Sequence, residues 1–323
     1  MRGLQPPPKR ETPSRIVARM AVLIVLLFLF SVTVWAAVTN QQIPLVEDLP
    51  LDAVALEDSE TSEGIRFNVD DQGSSDIPVF LFHDVEISGS VMFDNLLNSI
   101  DGEVRTVAVD LPGFGLTTRI PSPGIFYTVR DMGERVSAVV EARSDGPAVL
   151  VGVGLGGKVA AEIAATRPEL VAGLMIIDTD FYGGGGWVQL AERIPFVGRA
   201  MTYAFEVSGP LSGQAQAPYC EEGGWCPSPD QVEARAVIAG IAGTTYSLHG
   251  FRNTTPAANV PSLLEDITAP TIYVWSEDGP VPESSVERFM EEFGDAELES
   301  FDVFQAVQES SGAVADLVVE LAG

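Results

Sequence analysis

The sequence is poor in histidine and cysteine, and this scarcity narrows the chemistry available to it. Two histidines, His83 and His249, and two cysteines, Cys220 and Cys226, occur in 323 residues. A structural zinc site normally needs four such ligands and no histidine lies near the cysteine pair, so we expect no metal site. If the domain lies outside the cytoplasm, the C-x5-C spacing favours a local disulfide, because a redox-active pair usually has C-x-x-C spacing.

Positive charge is also scarce. The chain has 18 lysines and arginines against 46 aspartates and glutamates, a formal net charge of −28, and Lys9 and Lys158 are its two lysines. Such a surface repels phosphate, which argues against nucleic acid and anionic lipid as partners. The same excess predicts a solvated acidic surface suited to high salt, where self-repulsion is screened.

No charged residue occurs in residues 20–38. This length is close to the roughly 20 residues that cross a bilayer as a helix, and the basic residues lie on its N-terminal side. We therefore expect residues 1–19 to be a cytoplasmic tail, residues 20–38 a single-pass anchor in the cell membrane, and the remainder extracytoplasmic. The alternative is a cleaved signal peptide and a secreted domain, although the apolar run exceeds the roughly 7–15 residues usual there. We expect residues 39–63 to be an acidic linker.

From residue 64 to residue 323, short apolar runs alternate with amphipathic stretches, which predicts an α/β fold with a mostly parallel sheet and helices on both faces. The predicted strands are residues 65–69, 78–82, 104–110, 148–151, 174–178, 271–275 and 298–304, and the predicted helices are residues 91–100, 127–142, 283–293 and 313–321. Residues 181–266 interrupt this alternation. They predict a helical lid, with helices at residues 187–200 and 229–242, over the sheet edge where ligands bind.

A glycine cluster in residues 149–165, VLVGVGLGGKVAAEIAA, joins the central strand to a helix and fits two motifs. The hydrolase motif G-x-S-x-G places Gly154 at the nucleophile position. The dinucleotide motif G-x-G-x-x-G uses the same glycines, with Asp178 following Gly157 at about the offset of a ribose-binding acid. The second motif would make the chain a nucleotide-binding oxidoreductase. An exported domain has little access to nicotinamide cofactors, and we expect no cofactor.

Five segments resemble the α/β-hydrolase family, in the family's order. They are PVFLFHDV at residues 78–85, VAVDLPGFGLT at 107–117, VLVGVGLGGKVAAEIAATRPELVAGLMIIDT at 149–179, APTIYVWSEDGPVP at 269–282 and SGAVADLVVEL at 311–321. The resemblance runs from residue 65 to the C-terminus and implies a lid-bearing, esterase- or lipase-like fold. It places the nucleophile at Gly154, the acid near Gly279 beside Asp278, and the base at residues 304–307. No histidine follows His249.

Two positions of the catalytic triad therefore lack a suitable side chain, and we predict a protein that binds rather than cleaves. Its expected partner is a small acyl or carboxylate ligand, or another envelope protein. The residues expected around the pocket are His83, Asp84, Val85, Gly154 and Leu155, with the N–H groups of Leu155 and Val85 forming an anion-binding nest.

Most of the remaining polar residues near the motifs have structural interpretations. For His83 the resemblance implies a structural role within the oxyanion turn. For Asp178 we favour capping or loop hydrogen bonding, and for Asp110 a structural role in its turn. The alternative is an active, unorthodox ester hydrolase, for which the candidate catalytic residues are His83, Asp178, His249 and Asp278.

Overall fold

The structure is a computed structural model that describes residues 13–39, 65–85, 87–119, 127–182, 226–241, 243–254 and 260–323. Most of the predicted lid, including the helix expected at residues 187–200, lies outside these ranges. Cys220 also lies outside them, so its pairing with Cys226 stays a prediction. Element labels below number the helices and strands of the described residues in chain order.

The N-terminal helix α1 (Pro13–Thr39) is 27 residues long. Its apolar side chains include Leu23, Ile24 and Phe28, each more than half exposed. Within the described ranges, no helix meets the combined requirement of length and apolarity for crossing a membrane. The predicted transmembrane helix is therefore not supported.

Seven strands form one sheet in the order β1-β3-β2-β4-β5-β6-β7. Strand β1 pairs antiparallel with β3, and all other neighbours are parallel. The strands are β1 (Val69–Gln72), β2 (Val79–Phe82), β3 (Thr106–Val109), β4 (Ala148–Val153), β5 (Val171–Ile177), β6 (Thr271–Ser276) and β7 (Glu297–Phe301). The mostly parallel α/β architecture predicted from the alternating pattern is confirmed.

Strand β1 corrects one prediction, because it begins at Val69 instead of residue 65 and runs into the expected turn. The preceding residues Ile65 and Phe67 are buried, so their apolar character reflects packing rather than strand pairing. Arg66 does not join the ladder and bonds instead to Thr118, through the Thr118 Oγ1 and backbone.

Helices cover both faces of the sheet. They are α2 (Asp94–Ile100), α3 (Val129–Arg143), α4 (Leu155–Thr166), α5 (Pro229–Ala239), α6 (Thr244–Thr254), α7 (Glu283–Phe293), α8 (Ala306–Glu309) and α9 (Ser311–Ala322). Alternate strand residues face opposite ways, so Phe80 and Phe82 join the core beneath α3, α4 and α7, whereas Val79 and Leu81 join the core beneath α2 and α9. Strands buried on both faces explain the continuous apolar runs in the sequence.

Helix α4 packs closely on the sheet because its first turn is rich in glycine. A Cβ on Gly156 would overlap the carbonyl oxygen of Phe82 at the end of β2. The absent side chain therefore lets the helix start directly against β2 and β4. Because β2, β4 and β5 pair in parallel, the loops that follow them meet at the carboxyl edge of the sheet. Asp84, Gly154 and Asp178 lie in these loops.

Candidate functional site

Gly154 forms the sharp turn between β4 and α4. Its backbone adopts φ 52° and ψ −108°, a conformation that residues with a side chain rarely take. The Gly154 N–H donates to the carbonyl oxygen of Ile177 at 3.0 Å, and the Gly154 carbonyl accepts the N–H of Lys158 at 3.2 Å. The turn is a strand–turn–helix elbow of the kind that presents a nucleophile, but here it carries no side chain.

The carboxylate of Asp84 fills the space beside this glycine. A Cβ on residue 154 would overlap Cγ and Oδ1 of Asp84. Asp84 Oδ1 accepts the backbone N–H of Leu155 at 2.7 Å, and the backbone N–H of Val85 also bonds to the carboxylate. These are the two N–H groups expected to form an anion-binding nest. Both donate to one carboxylate, and that carboxylate belongs to the chain itself.

The charge on Asp84 is set by opposing influences. Burial raises the pKa of Asp84 above its ordinary value, and the bonds from Leu155 and Val85 and the positive charge of Lys158 lower it. Burial also lowers the pKa of Lys158, while the nearby negative charges of Asp180 and Asp84 raise it. Asp84 and Lys158 therefore stabilise each other's charged forms in a poorly solvated environment.

His83 is fully buried, and both of its ring nitrogens bond to backbone groups. Its Nε2 accepts the N–H of Leu111 at 2.8 Å, and its Nδ1 lies 2.5 Å from the carbonyl oxygen of Asp84. Because a carbonyl oxygen only accepts, Nδ1 carries the proton and the ring is neutral. Its edge meets the ring of Phe114 at a centroid distance of 5.4 Å. With both nitrogens occupied, His83 holds the loops after β2 and β3 together, and neither nitrogen is available to accept a substrate proton.

Asp178 follows β5 and is joined to the neighbouring strand through Ser276. Asp178 Oδ1 accepts the Ser276 N–H at 2.7 Å, and Oδ2 accepts the Ser276 hydroxyl at 2.6 Å. The Ser276 Oγ in turn accepts the N–H of Ala306 at 2.8 Å. This chain of bonds reaches the loop after β7, where the resemblance places the catalytic base. It ends in a hydroxyl and a backbone N–H, with no imidazole to take up a proton.

The environment of Asp178 is electrostatically unusual. Burial raises the pKa of Asp178 to about 6, against the lowering effect of the two Ser276 bonds, and the negative charge of Asp84 raises it further. Its backbone also has a positive φ of 44°, which non-glycine residues seldom adopt. The sequence suggested capping or loop hydrogen bonding for this residue, whereas both carboxylate bonds run to Ser276 at the end of the neighbouring strand β6.

Asp278 and His249 do not join this cluster. The Asp278 side chain is exposed on the turn after β6, and its backbone N–H donates to Val303 at 3.2 Å. His249 is half-buried on α6. The charged side chains that shift the pKa values of Asp84 and Asp178 do not include His249 or Asp278.

Asp110 organises the turn after β3. Its carboxylate accepts the Ser90 N–H at 2.6 Å, the Asn68 Nδ2 at 2.8 Å and the Leu116 N–H at 2.8 Å. Its backbone carbonyl accepts the Thr117 hydroxyl at 2.7 Å. These contacts give Asp110 a structural role, which is the role the sequence suggested.

The dinucleotide interpretation does not fit this geometry. A pyrophosphate approaching the Leu155 N–H at the start of α4 would meet the Asp84 carboxylate, which already accepts that bond. The acid expected to bind a ribose, Asp178, bonds to Ser276 instead. The glycines in this chain serve close helix packing and the elbow. In the described parts of the chain, no cluster of three or more histidine, cysteine, aspartate or glutamate residues could hold a metal ion.

Sequence reasoning missed two features of the site. Ser276 was not singled out, because a serine ending a buried strand gives no motif that predicts its partner. Asp84 was placed near the pocket but not inside the nest. A signal existed, since the resembled family has His-Gly where this chain has His83-Asp84, and a carboxylate at that position lies next to the oxyanion donors.

The sheet order, the single antiparallel edge strand, the elbow at Gly154 and the acid after β5 together define a protein of the α/β-hydrolase fold. The chain belongs to the alpha/beta hydrolase family, whose family model matches residues 81–316. The resemblance stated from five segments is thereby confirmed.

Curated relatives match a shorter part of the chain. A 2-(acetamidomethylene)succinate hydrolase of Mesorhizobium japonicum is 32% identical over 114 residues, which are 35% of this chain and 39% of the relative. A haloalkane dehalogenase of Bradyrhizobium diazoefficiens is 32% identical over 106 residues, 33% of each chain. The chain therefore matches less than half the length of these relatives. A solved thermophilic esterase of Thermogutta terrifontis shares the fold, with 19% identity, a TM-score of 0.65, and coverage of 84% of this chain and 100% of the esterase.

Proposed function

We propose that this chain is a hydrolase-fold protein that acts by binding and does not hydrolyse esters. The observation that carries the proposal is the Asp84 carboxylate lying on the oxyanion donors beside a glycine elbow. Ester hydrolysis on this fold needs a nucleophile at the elbow and free N–H donors for the developing oxyanion. Here Gly154 offers no nucleophile, and Asp84 already uses the donors.

The acid and base positions support the same proposal. Asp178 is bonded to Ser276 rather than to a histidine, and Ser276 bonds to Ala306 in the loop where a base would stand. This chain of bonds contains no imidazole, and both oxygens of the Asp178 carboxylate already accept hydrogen bonds from Ser276.

The ligand we propose is a small acyl compound, and an envelope protein is the other partner. A free carboxylate group on the ligand would be repelled by Asp84 at the oxyanion donors, so the acyl chain rather than the carboxylate faces the elbow. The acidic surface argues against nucleic acid as a partner.

The test is hydrolysis of short- and medium-chain p-nitrophenyl esters by the purified chain at low and high salt. We expect turnover no faster than in buffer. A matched variant, Asp84→Gly with Gly154→Ser, places a hydroxyl at the elbow and frees the N–H donors. Slow phosphonylation of this double variant by a phosphonate ester, with release of the ester's alcohol and no reaction of the natural chain, would support the proposal. Turnover by the natural chain that is lost in Asp84→Asn would overturn it.

One observation favours a second candidate function, an unorthodox hydrolase. The Asp84 carboxylate stands where a side chain on residue 154 would extend, so it occupies the place of a nucleophile. A carboxylate can attack an ester carbonyl or displace a leaving group from carbon, as covalent catalysis by aspartate requires. One of the relatives similar to part of this chain is a haloalkane dehalogenase. Release of halide from short haloalkanes, with loss of release in Asp84→Asn, would select this function over binding.

We also propose that the N-terminal helix attaches the chain to the cell membrane and that the domain lies outside the cytoplasm. Support comes from the uncharged residues 20–38, the basic residues that precede them and the exposed apolar side chains of α1. A disulfide between Cys220 and Cys226 would accompany this location. Recovery in the membrane fraction with an intact N-terminus is the expected result. A soluble protein with a shortened N-terminus would indicate a cleaved signal peptide.

A further inference from the structure

Arg119 is a charged residue that is buried away from the elbow. Arg119 follows the turn after β3, and its side chain is 8% exposed. Its Nε donates to Thr244 Oγ1 at 3.3 Å, and its Nη1 donates to the carbonyl oxygens of Thr117 at 2.8 Å and Phe114 at 3.4 Å. Its Nη2 is buried and has no hydrogen-bond partner. A buried guanidinium nitrogen left without an acceptor is costly, so this group calls for an explanation.

Arg119 also has no anionic partner in the part of the chain that the structure describes. The largest effect of an opposite charge on Arg119 comes from Asp110, whose carboxylate accepts bonds from Ser90, Asn68 and Leu116. Burial lowers the pKa of Arg119 to about 10, and the charges of Asp110 and Tyr127 oppose that shift. The guanidinium is therefore positively charged at neutral pH. Among the described residues of a chain with 46 acidic side chains, no carboxylate pairs directly with this cation.

A second unpartnered donor is carried by the residue that follows the Arg119 partner Thr244. Thr245, adjacent to the Arg119 partner Thr244, is 4% exposed, and its Oγ1 has no hydrogen-bond partner. Both threonines are in the first turn of α6, an 11-residue helix whose amino end is positive. Gly243, with φ +96°, precedes them, and a Cβ there would lie 2.9 Å from the Arg119 Cβ. Glycine at this position thus allows Arg119 to pack against the start of the helix.

We propose that Arg119 and Thr245, at the amino end of α6, bind an oxyanion. The ligand group is a carboxylate or a phosphate, since both accept from a planar guanidinium and a hydroxyl together. The site belongs to the loop after β3 and the start of α6, and it differs from the nest filled by Asp84. It gives an anionic ligand a place on this acidic protein that the elbow denies it. The proposal does not depend on whether the chain hydrolyses esters.

The test uses the purified full chain, with acetate and inorganic phosphate as probes. Thermal unfolding is followed in each salt and in chloride at matched ionic strength, because salt of any kind screens the self-repulsion of this chain. A ligand that binds the folded state raises the Tm, and we expect a rise of about 4 °C above chloride at saturating probe. A larger effect of acetate would identify a carboxylate site, and a larger effect of phosphate a phosphoryl site.

Two variants and one control make the test specific. Arg119→Met removes the cation, and Thr245→Val removes the hydroxyl at nearly constant shape. We expect both to lose the anion-specific rise, while Thr245→Val is at least as stable as the natural chain in chloride because its hydroxyl has no partner to lose. The control Arg130→Met changes an exposed arginine and keeps the rise.

Several outcomes would overturn the proposal. One is equal Tm in acetate, phosphate and chloride for the natural chain. Another is a rise that persists in Arg119→Met, which would mark general salt stabilisation of folded protein. If Arg119→Met does not fold, persistence of the full rise in Thr245→Val overturns the proposal in the same way. None of these readouts involves ester cleavage, so failure here leaves the proposed function untouched.

Discussion

The Asp84 carboxylate and the Gly154 backbone occupy complementary halves of one position. Gly154 provides the elbow geometry without a side chain, and Asp84, from the loop after β2, fills the space that a side chain on residue 154 would take. The Asp84 carboxylate accepts the Leu155 N–H in place of a substrate oxygen. The two residues are therefore coupled, since a side chain at one excludes the carboxylate at the other.

This coupling predicts a non-additive cost for Gly154→Ser. Serine must adopt φ +52° and displace Asp84, so we expect a loss of about 2–4 kcal/mol in the free energy of unfolding. In the Asp84→Gly background only the backbone strain remains, and the cost should fall to about 1–2 kcal/mol. Urea unfolding of the four proteins in the cycle measures both values. Equal costs in the two backgrounds would show that Asp84 does not occupy the elbow.

We expect substitution of His83 to lower the stability of the protein substantially, because its ring is part of the structure and not of a catalytic site. His83→Ala leaves the buried Leu111 N–H without an acceptor and opens a cavity beside Phe114. We expect a loss of about 2–4 kcal/mol in the free energy of unfolding, measured by urea titration. A variant as stable as the natural chain would contradict the structural role.

Asp178 predicts a specific pH dependence of stability. Burial raises its folded pKa to about 6 from an ordinary 3.8, so the folded state binds its proton more tightly than the unfolded state does. The contribution of Asp178 to the free energy of unfolding is largest below pH 4 and is lost as the pH rises through 6. The change is about 3 kcal/mol. Asp178→Asn has no ionisable group at this position and should match the natural chain near pH 4. It should be more stable by about 2–3 kcal/mol at pH 7.5.

The measurement is denaturant unfolding of both proteins between pH 4 and pH 8. The control is Asp278→Asn, which changes an exposed carboxylate in the turn after β6. Its stability should vary with pH as that of the natural chain does. Parallel curves for Asp178→Asn and the natural chain would show that the pKa of Asp178 is not raised by folding.

We expect substitution of Ser276 to destabilise the protein, because its hydroxyl bonds to both Asp178 and Ala306. Ser276→Ala removes the hydroxyl that donates to Asp178 and accepts from the Ala306 N–H, and that N–H then lies buried without an acceptor. We expect a loss of about 2–3 kcal/mol in the free energy of unfolding at pH 7. The control is Ser300→Ala, whose hydroxyl bonds to Glu277 at an exposed site and should cost under about 0.5 kcal/mol. Equal losses in the two variants would argue against the bridge.

The order and type of the sheet elements were predictable from the sequence. Strands such as β2 and β4 are buried on both faces, so their apolar residues form unbroken runs that can be recognised locally. The edge strand β1 was misplaced by four residues, because Ile65 and Phe67 are apolar for packing and pair with no strand. The spacing of apolar residues shows which side chains are buried. It does not show whether their backbone also pairs with a neighbouring strand.

The sequence by itself determined the family, the glycine elbow at Gly154 and the absence of a histidine after His249, because each of these is a property of residue identity and spacing along the chain. Only the tertiary structure decided what fills the nest, what Asp178 bonds to and which cation lacks an anionic partner among the described residues. Asp84 and Leu155 are 71 residues apart, and Asp178 and Ser276 are 98 apart. Contacts at such separations arise when parallel strands bring their carboxyl ends to one edge, and local sequence carries no record of which side chains then meet.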